Sequence, residues 1–401
     1  MRAEPEGRPA RWLNRSVLGI GLASLTSDIS HEIATTVLPA FLATLGAAAA
    51  WLGAIEGVSD GISSAAKLTS GFYTDRLARR KPIAVVGYAV TAFGTAAFGL
   101  ASAAWHILLF RSLAWLGRGV RTPVRKALLA QAVTKETYGR AFGFERMMDT
   151  LGAVAGPSIV LVLLPVLSHD YAALFALTLV PGLLAAALIA FLVVERERRP
   201  VKRVTFGASF RALPKRFKRF LLAVGLFGLG DFSHTLLILF AAESLAPELG
   251  KNEAASLAAG LYVMHNVLYA GFAFTAGWLA DRFEKPWLLS GGYFLAAAMA
   301  AALVLLPASA WTLALVFALG GIYIAVEETV EDSLCAQLVG EEQHGMAFGV
   351  LATVNGIGDF ASSMVVGVLW TAFGPSVAFG YSAVFFAAGG VLVWRLRPSA
   401  A

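Results

Sequence analysis

Apolar residues in this chain are gathered into segments of about 20, the length at which a helix crosses a hydrocarbon layer about 30 Å thick. Twelve such spans are predicted, over residues 16–43, 50–72, 83–103, 105–124, 141–165, 172–194, 218–244, 254–279, 287–306, 308–329, 345–369 and 376–394. Each should be helical, because lipid offers open backbone groups no partner. The composition agrees, with 58% hydrophobic and only 14% charged residues, against about 25% charged in soluble domains. A water-soluble fold is excluded. One cysteine, Cys335, rules out a disulfide framework or a thiolate metal centre and reads as a small apolar filler. Arg2, Arg8, Arg11 and Arg15 precede a first span that is too long and too polar for a cleavable signal, so no targeting peptide is expected.

Lysine and arginine fall on one side of this layout. With the N-terminus inside, 29 of the 32 lie in the tails, the even-numbered connections or the helix ends beside them. The opposite side keeps Lys251, while Lys67 and Arg111 lie within spans. The positive-inside rule therefore predicts a multi-pass protein of the cell membrane with both termini in the cytoplasm. The net charge of +6 reports topology, and no nucleic-acid partner is expected.

The longest polar stretch divides the chain into two halves of six spans. The expected domains are an N-terminal tail (1–15), a first bundle (16–194), a linker (195–217), a second bundle (218–394) and a C-terminal tail (395–401). The halves repeat. Asp28-Ile-Ser-His31 recurs as Asp231-Phe-Ser-His234 at an offset of 203, and Gly71-Phe-Tyr-Thr-Asp75-Arg76 recurs as Gly277-Trp-Leu-Ala-Asp281-Arg282 at 206. Gly139-Arg-Ala-Phe-Gly143 recurs as Gly345-Met-Ala-Phe-Gly349, again at 206. Two parallel six-helix repeats are a signature of transporters.

Charge sorts by span number as well. Spans 3, 6, 9 and 12 hold no ionisable residue, whereas each of the other eight holds at least one. A charge facing lipid costs about 2.5–3.5 kcal/mol on insertion scales, so the charge-free spans should be peripheral and the rest should line an interior.

These residues resemble the major facilitator superfamily of secondary transporters along the whole chain. Gly71-Phe-Tyr-Thr-Asp75-Arg76-Leu-Ala-Arg79-Arg80-Lys81 is similar to that family's signature between spans 2 and 3, with Ala78 in place of a second glycine. Gly152-Ala-Val-Ala-Gly156-Pro157 in span 5 resembles the motif of its proton-coupled exporters, although Val160 and Leu161 replace the paired glycines. Arg111 matches the family's intramembrane arginine, with Trp115 where a glycine usually follows. The resemblance implies a monomeric all-α protein of twelve transmembrane helices in two pseudo-symmetric bundles. It also implies alternating access without a bound cofactor, with the proton as coupling ion, and no enzymatic role.

Within that frame, Asp28, His31 and Glu32 share one face of span 1. With Glu56, Asp60, Arg111, Asp231 and His234 they form the expected proton and substrate site; the alternative is that they are buried pairs holding spans together. Asp28, His31, Asp231 and His234 are also candidate metal ligands. Gly71, Asp75, Arg76, Arg79, Gly152, Gly156, Pro157, Asp281 and Arg282 form the conformational motifs. The 206 offset maps basic Arg121, Arg125 and Lys126 onto acidic Glu327, Glu331 and Asp332. From this follows an expected cytoplasmic gate in which Arg118, Arg121 or Arg125 meets Glu327, Glu328 or Glu331, against the alternative of a merely solvated basic end. The functional expectation is proton-coupled efflux of a small organic compound; the alternative is transport of a divalent metal or its chelate. Intramembrane enzymes are disfavoured, since no HExxH or cysteine–histidine pattern is present and the GxSxG match, Gly57-Val-Ser-Asp-Gly61, falls inside span 2.

Overall fold

The computed structural model describes residues 11–47, 49–196 and 205–396, so most of the N-terminal tail, residues 197–204 of the linker and 397–401 of the C-terminal tail lie outside the described residues. Helices account for all regular structure among the described residues. Spans 1 to 5 are α1 (Arg15–Thr44), α2 (Ala49–Thr74), α3 (Lys81–Ala96), α4 (Ala104–Ala132) and α5 (Tyr138–Val166). Span 6 is α6 (Tyr171–Leu177) followed directly by α7 (Leu179–Leu192), and a short α8 (Phe206–Ala212) lies in the linker. Span 7 divides into α9 (Lys215–Gly228) and α10 (His234–Leu249). Spans 8 to 12 are α11 (Lys251–Ala280), α12 (Lys285–Leu305), α13 (Ala310–Leu338), α14 (His344–Phe373) and α15 (Pro375–Trp394).

Local chemistry sets the ends. Asn14 accepts from the amides of Ser16 and Val17 at 2.9 and 3.1 Å to cap α1, and Asp170, Thr205 and Ser309 cap α6, α8 and α13 in the same way. Glu195 accepts from the amides of Arg80 and Lys81 and so ties the end of span 6 to the start of α3. Burial raises its carboxyl above the usual value, against the pull of the Lys81 amide.

The division of span 7 departs from the continuous helix predicted over 218–244. Glycines at 225, 228 and 230 weaken the helix, and Ser233 turns extended and accepts from the Thr235 amide to begin α10. The freed backbone groups find side-chain partners on α14, as bilayer depth requires. Ser362 Oγ donates to the Asp231 carbonyl, and the Ser233 amide donates to Ser363 Oγ at 3.1 Å.

Among the described residues, eight helical runs are long and apolar enough to cross a membrane by length and composition. Those that fall short are α1, α2 and α4, which carry many polar side chains, and the divided span 7. Helices α1–α7 form one bundle and α9–α15 the other. The charge-free spans 3, 6, 9 and 12, whose helices α3 and α12 carry a lysine only at their first residue, pack within their own bundle and expose Val86, Phe93, Val180, Phe191, Phe294 and Val384. Contact between bundles runs from α2, α4 and α5 to α11, α13 and α14.

The bundles approach closely at the face that bears the linker. There Gly71 lies on Gly345 and Gly349, and Gly277 lies on Gly139 and Gly143. A Cβ at Gly71 or Gly277 would overlap the carbonyl oxygen of Gly345 or Gly139. Toward the far face the bundles diverge, and a Cβ at Gly53, Gly57 or Gly61 of α2 would meet no atom of another helix within 4 Å. Gly277→Val should therefore force the bundles apart at the linker face while sparing each bundle. In a Cys335→Ala background, cysteines placed on α5 and α11 beside the crossing should lose disulfide cross-linking, and the matching Gly53→Val should leave it unchanged.

Candidate functional site

Close packing of glycines brings two helix starts within reach of carboxylates from the opposite bundle. Asp75 accepts from the amides of Gly345 and Met346 at 2.9 and 2.7 Å, at the beginning of α14. Asp281 accepts from the amides of Gly139 and Arg140 at 2.7 and 3.1 Å, at the beginning of α5. Each aspartate thus meets unsatisfied N–H groups and the positive end of a helix dipole. The two contacts are symmetry mates, since both donors and acceptors are related by 206. Arg80 steadies Asp75 at 2.6 Å and reaches the Glu341 carbonyl, while Arg140 Nε adds a 2.8 Å bond to Asp281. Arg76 and Arg282 lie over the rings of Phe72 and Trp278 at 3.6 and 3.5 Å, again as mates. Arg79 lies between α2 and α3, beside a surface cleft with Glu195.

Farther into the protein the bundles are joined by ion pairs. Lys126 meets Asp332 at 2.7 Å, and Arg146 meets Glu328 at 2.7 Å and Asp332 at 4.0 Å. The expected gate is corrected here: of its six residues only Glu328 pairs across the interface. Arg118 turns to Asp28 (3.3 Å), Arg125 to Glu145 (2.8 Å) and Ser24, and Arg121 lies over the Tyr88 ring at 3.9 Å, all within the first bundle. Glu331 accepts from Tyr293 and from Asn355 (2.9 Å), and Glu327 is buried in the second bundle. The error is one of helical phase. One residue turns a helix by about 100°, so Arg125 and Glu331 face their own bundles while Lys126 and Asp332 face each other.

In the first bundle, Gly152 and Gly156 let α5 rest against α1 at Asp28 and Glu32, where any Cβ would collide; Pro157 sits within α5 just beyond. Asp28 is 6% exposed and pairs with Arg118. His31 lies 3.6 Å from Glu32. Arg111, 5% exposed, meets Glu56 at 3.6 Å. Trp115 organises this group: its indole N–H donates to Asp60 at 2.7 Å, and its ring lies under Arg111 and against His31. The departure from glycine at this position is thus a structural substitution. In the second bundle Asp231 sits in the break of span 7 and accepts from Tyr323 at 3.2 Å, and His234 packs on His265 with ring centres 4.7 Å apart. The four candidate metal ligands do not come together. His31 is held by Trp115 and His234 by His265 in different bundles, and among the described residues no three His, Cys, Asp or Glu side chains gather as metal ligands would.

Sequence reasoning passed over Arg146 as an inter-bundle clamp, the tyrosines that serve the second bundle's carboxylates, and Asp359. Lys67, placed by the sequence within span 2, lines the inter-bundle cavity together with Asp359.

The family model for the Major Facilitator Superfamily matches residues 20–240 and again 220–401, one match for each bundle. The chain belongs to the major facilitator superfamily. An uncharacterized MFS-type transporter of Methanocaldococcus jannaschii is 28% identical over 383 residues, covering 96% of this chain and 95% of that protein. The multidrug resistance protein MdtH of Citrobacter koseri is 30% identical over 185 residues, covering 46% of this chain and 45% of that protein. Among solved structures, the E. coli fucose:proton symporter FucP superposes with a TM-score of 0.78 at 16% identity, covering 96% of this chain and 98% of that one. The human organic anion transporter MFSD10 gives 0.77, also at 16% identity, over 94% and 99%. This superfamily protein is a multi-pass membrane transporter, and its linker face is closed in the structure.

Leaving a buried charge without its partner costs about 3–5 kcal/mol. Lys126→Glu should therefore disfavour closure of the linker face by two or more orders of magnitude, at about 1.4 kcal/mol per tenfold. Adding Asp332→Lys should restore much of it. Labelling of cysteines placed on the linker-side surface of α13 in the Cys335→Ala background reads both, and Arg121→Glu should show no such rescue by Glu327→Arg.

Proposed function

We propose that this transporter exports a small organic compound from the cytoplasm in exchange for protons, by rocking of the two bundles. The carrying observation is the Asp28–Arg118 pair, a buried carboxylate midway along α1 with a cation 3.3 Å away. A proton taken up by Asp28 dissolves that pair and frees Arg118, whereas a deprotonated Asp28 recaptures it. Because Gly152 and Gly156 place α5 directly behind Asp28 and Glu32, a change in the pair bears on the helix whose start Asp281 holds. Proton occupancy is thereby linked to closure of the linker face. The concentration of lysine and arginine at that face supports its assignment as cytoplasmic. Export is supported by the glycine–proline motif of α5 and by the similarity of about half the chain to proteins named for multidrug resistance. Intramembrane ionisable groups are otherwise expensive to keep.

The compound need not be known in advance to test this. Cells expressing the protein should enrich at least one metabolite in the medium relative to vector controls, measured by untargeted mass spectrometry. Asp28→Asn, expressed to the same level in the membrane, should reduce that enrichment at least tenfold, as should collapsing the proton gradient. Depletion of the compound from the medium on expression would reverse the direction, and enrichment indifferent to both treatments would remove the proton from the mechanism.

A further inference from the structure

Between the bundles lies a cavity of about 210 Å³, and nearly every charged group on its wall is already engaged. Arg118, Arg125 and Arg146 pair with Asp28, Glu145 and Glu328, and Lys126 with Asp332. Asp149 pairs with Arg146, and Glu331 is served by Tyr293 and Asn355. Two remain. Lys67 on α2 and Asp359 on α14 line the same cavity, one from each bundle, and neither side chain makes an ion pair or hydrogen bond. Lys67 is half-buried and Asp359 is exposed to the cavity.

The antiparallel crossing of α2 and α14 fixes their separation. Gly71 lies against Gly349, and Gly356 lies against Ser64 Oγ, which sets Lys67 at the level of residue 353 and Asp359 six residues beyond. At about 1.5 Å per residue the two positions are offset by roughly 9 Å along the helices. The two head groups make no ion pair with each other in this structure. A small zwitterion between them would take one charge-assisted hydrogen bond of about 2.8 Å from each. The repeat strengthens the reading. The 206 offset maps Lys67 onto Ala273 and Asp359 onto Ala153, so neither charge belongs to the repeated Asp75 and Asp281 device. These charges belong to no symmetric scaffold, and an unused intramembrane charge is costly to retain.

We infer that the transported compound is a small zwitterion of α-amino-acid type, its carboxylate held by Lys67 and its ammonium by Asp359. Each bundle then grips one end, so a bound molecule couples their movement, and loss of either charge on the ligand leaves one charge of the cavity wall unanswered. This rests on the transporter reading above, but not on its direction or its coupling to protons.

The test is equilibrium binding to the purified full-length protein in detergent. A panel of α-amino acids with aliphatic, aromatic and polar side chains is scored by thermal shift, each beside its decarboxylated amine and its deaminated acid. At least one amino acid should stabilise the protein where its amine and acid do not. Lys67→Met and Asp359→Asn should each weaken that amino acid's affinity at least tenfold, with melting temperatures of the unliganded variants no lower than the parent's, since no native pair is broken. Stabilisation by no amino acid would overturn the inference, as would equal stabilisation by an amine or acid, or unchanged affinity in either variant. Failure of proton-driven export alongside intact amino-acid binding would instead overturn only the coupling.

Discussion

Closure of this protein at one face depends on two aspartates reaching across an interface to cap helices they do not belong to. A helix start carries four unsatisfied N–H groups and a partial positive charge, and burying it between bundles without an acceptor would be costly. Asp75 and Asp281 supply the acceptors, but only because Gly71, Gly139, Gly277 and Gly345 let the backbones approach to atomic contact. The glycines and the aspartates are therefore one device. Either alone would fail: the carboxylates could not reach past a Cβ, and bare glycine contacts would leave the helix starts unpaired. The ion pairs of Lys126 and Arg146 extend the same closure deeper, where exclusion of water strengthens each charge interaction.

The two bundles satisfy their interior charges differently. In the first, arginines answer carboxylates within the bundle, as with Arg118 and Asp28 or Arg125 and Glu145. In the second, spans 7 to 12 as observed contain no lysine or arginine away from their ends, and phenols do that work instead: Tyr293, Tyr269 and Tyr323 donate to Glu331, Glu328 and Asp231. A phenol donates one hydrogen bond without adding charge, so the second bundle retains net negative character. Cations of the first bundle are consequently drawn to it, which accounts for the direction of the Lys126 and Arg146 pairs.

Much of this was legible in the chain. Twelve spans, their division into halves and the peripheral position of the charge-free helices follow from local hydropathy, which needs no partner to be read. The repeated Gly-x-x-x-Asp-Arg segment was legible as a conformational motif, since both copies kept spacing and chemistry. The gate was not. Whether Arg125 or Lys126 faces the other bundle depends on the rotation of α4 about its own axis, and that is set by packing against α2 and α3. A hydropathy pattern leaves it open, because both residues lie in the same basic run. The tyrosine donors were invisible for a related reason: nothing marks Tyr293 and Tyr323 as donors until the neighbouring helix brings a carboxylate to the hydroxyl. Trp115 read as a defect in an expected motif, whereas its indole is the group that binds Asp60 and braces Arg111.

The paired Asp-x-Ser-His segments show how far sequence identity can part from structural equivalence. In α1 the segment lies inside an unbroken helix, and Asp28 is held by Arg118. In span 7 the same four-residue pattern is the break itself, with Asp231 in the unwound turn and His234 starting the next helix. The difference lies just upstream. At the offset of 203, Gly228 and Gly230 correspond to Leu25 and Ser27, and two glycines raise the cost of helix where a leucine lowers it. The offset itself carries the same information, being three residues short of the 206 that relates the later motifs. Three residues are nearly one helical turn, and the second copy leaves the helix between Gly228 and His234. It gives up the helix, and Ser362 and Ser363 of α14 bond the backbone groups that the missing turn would have paired.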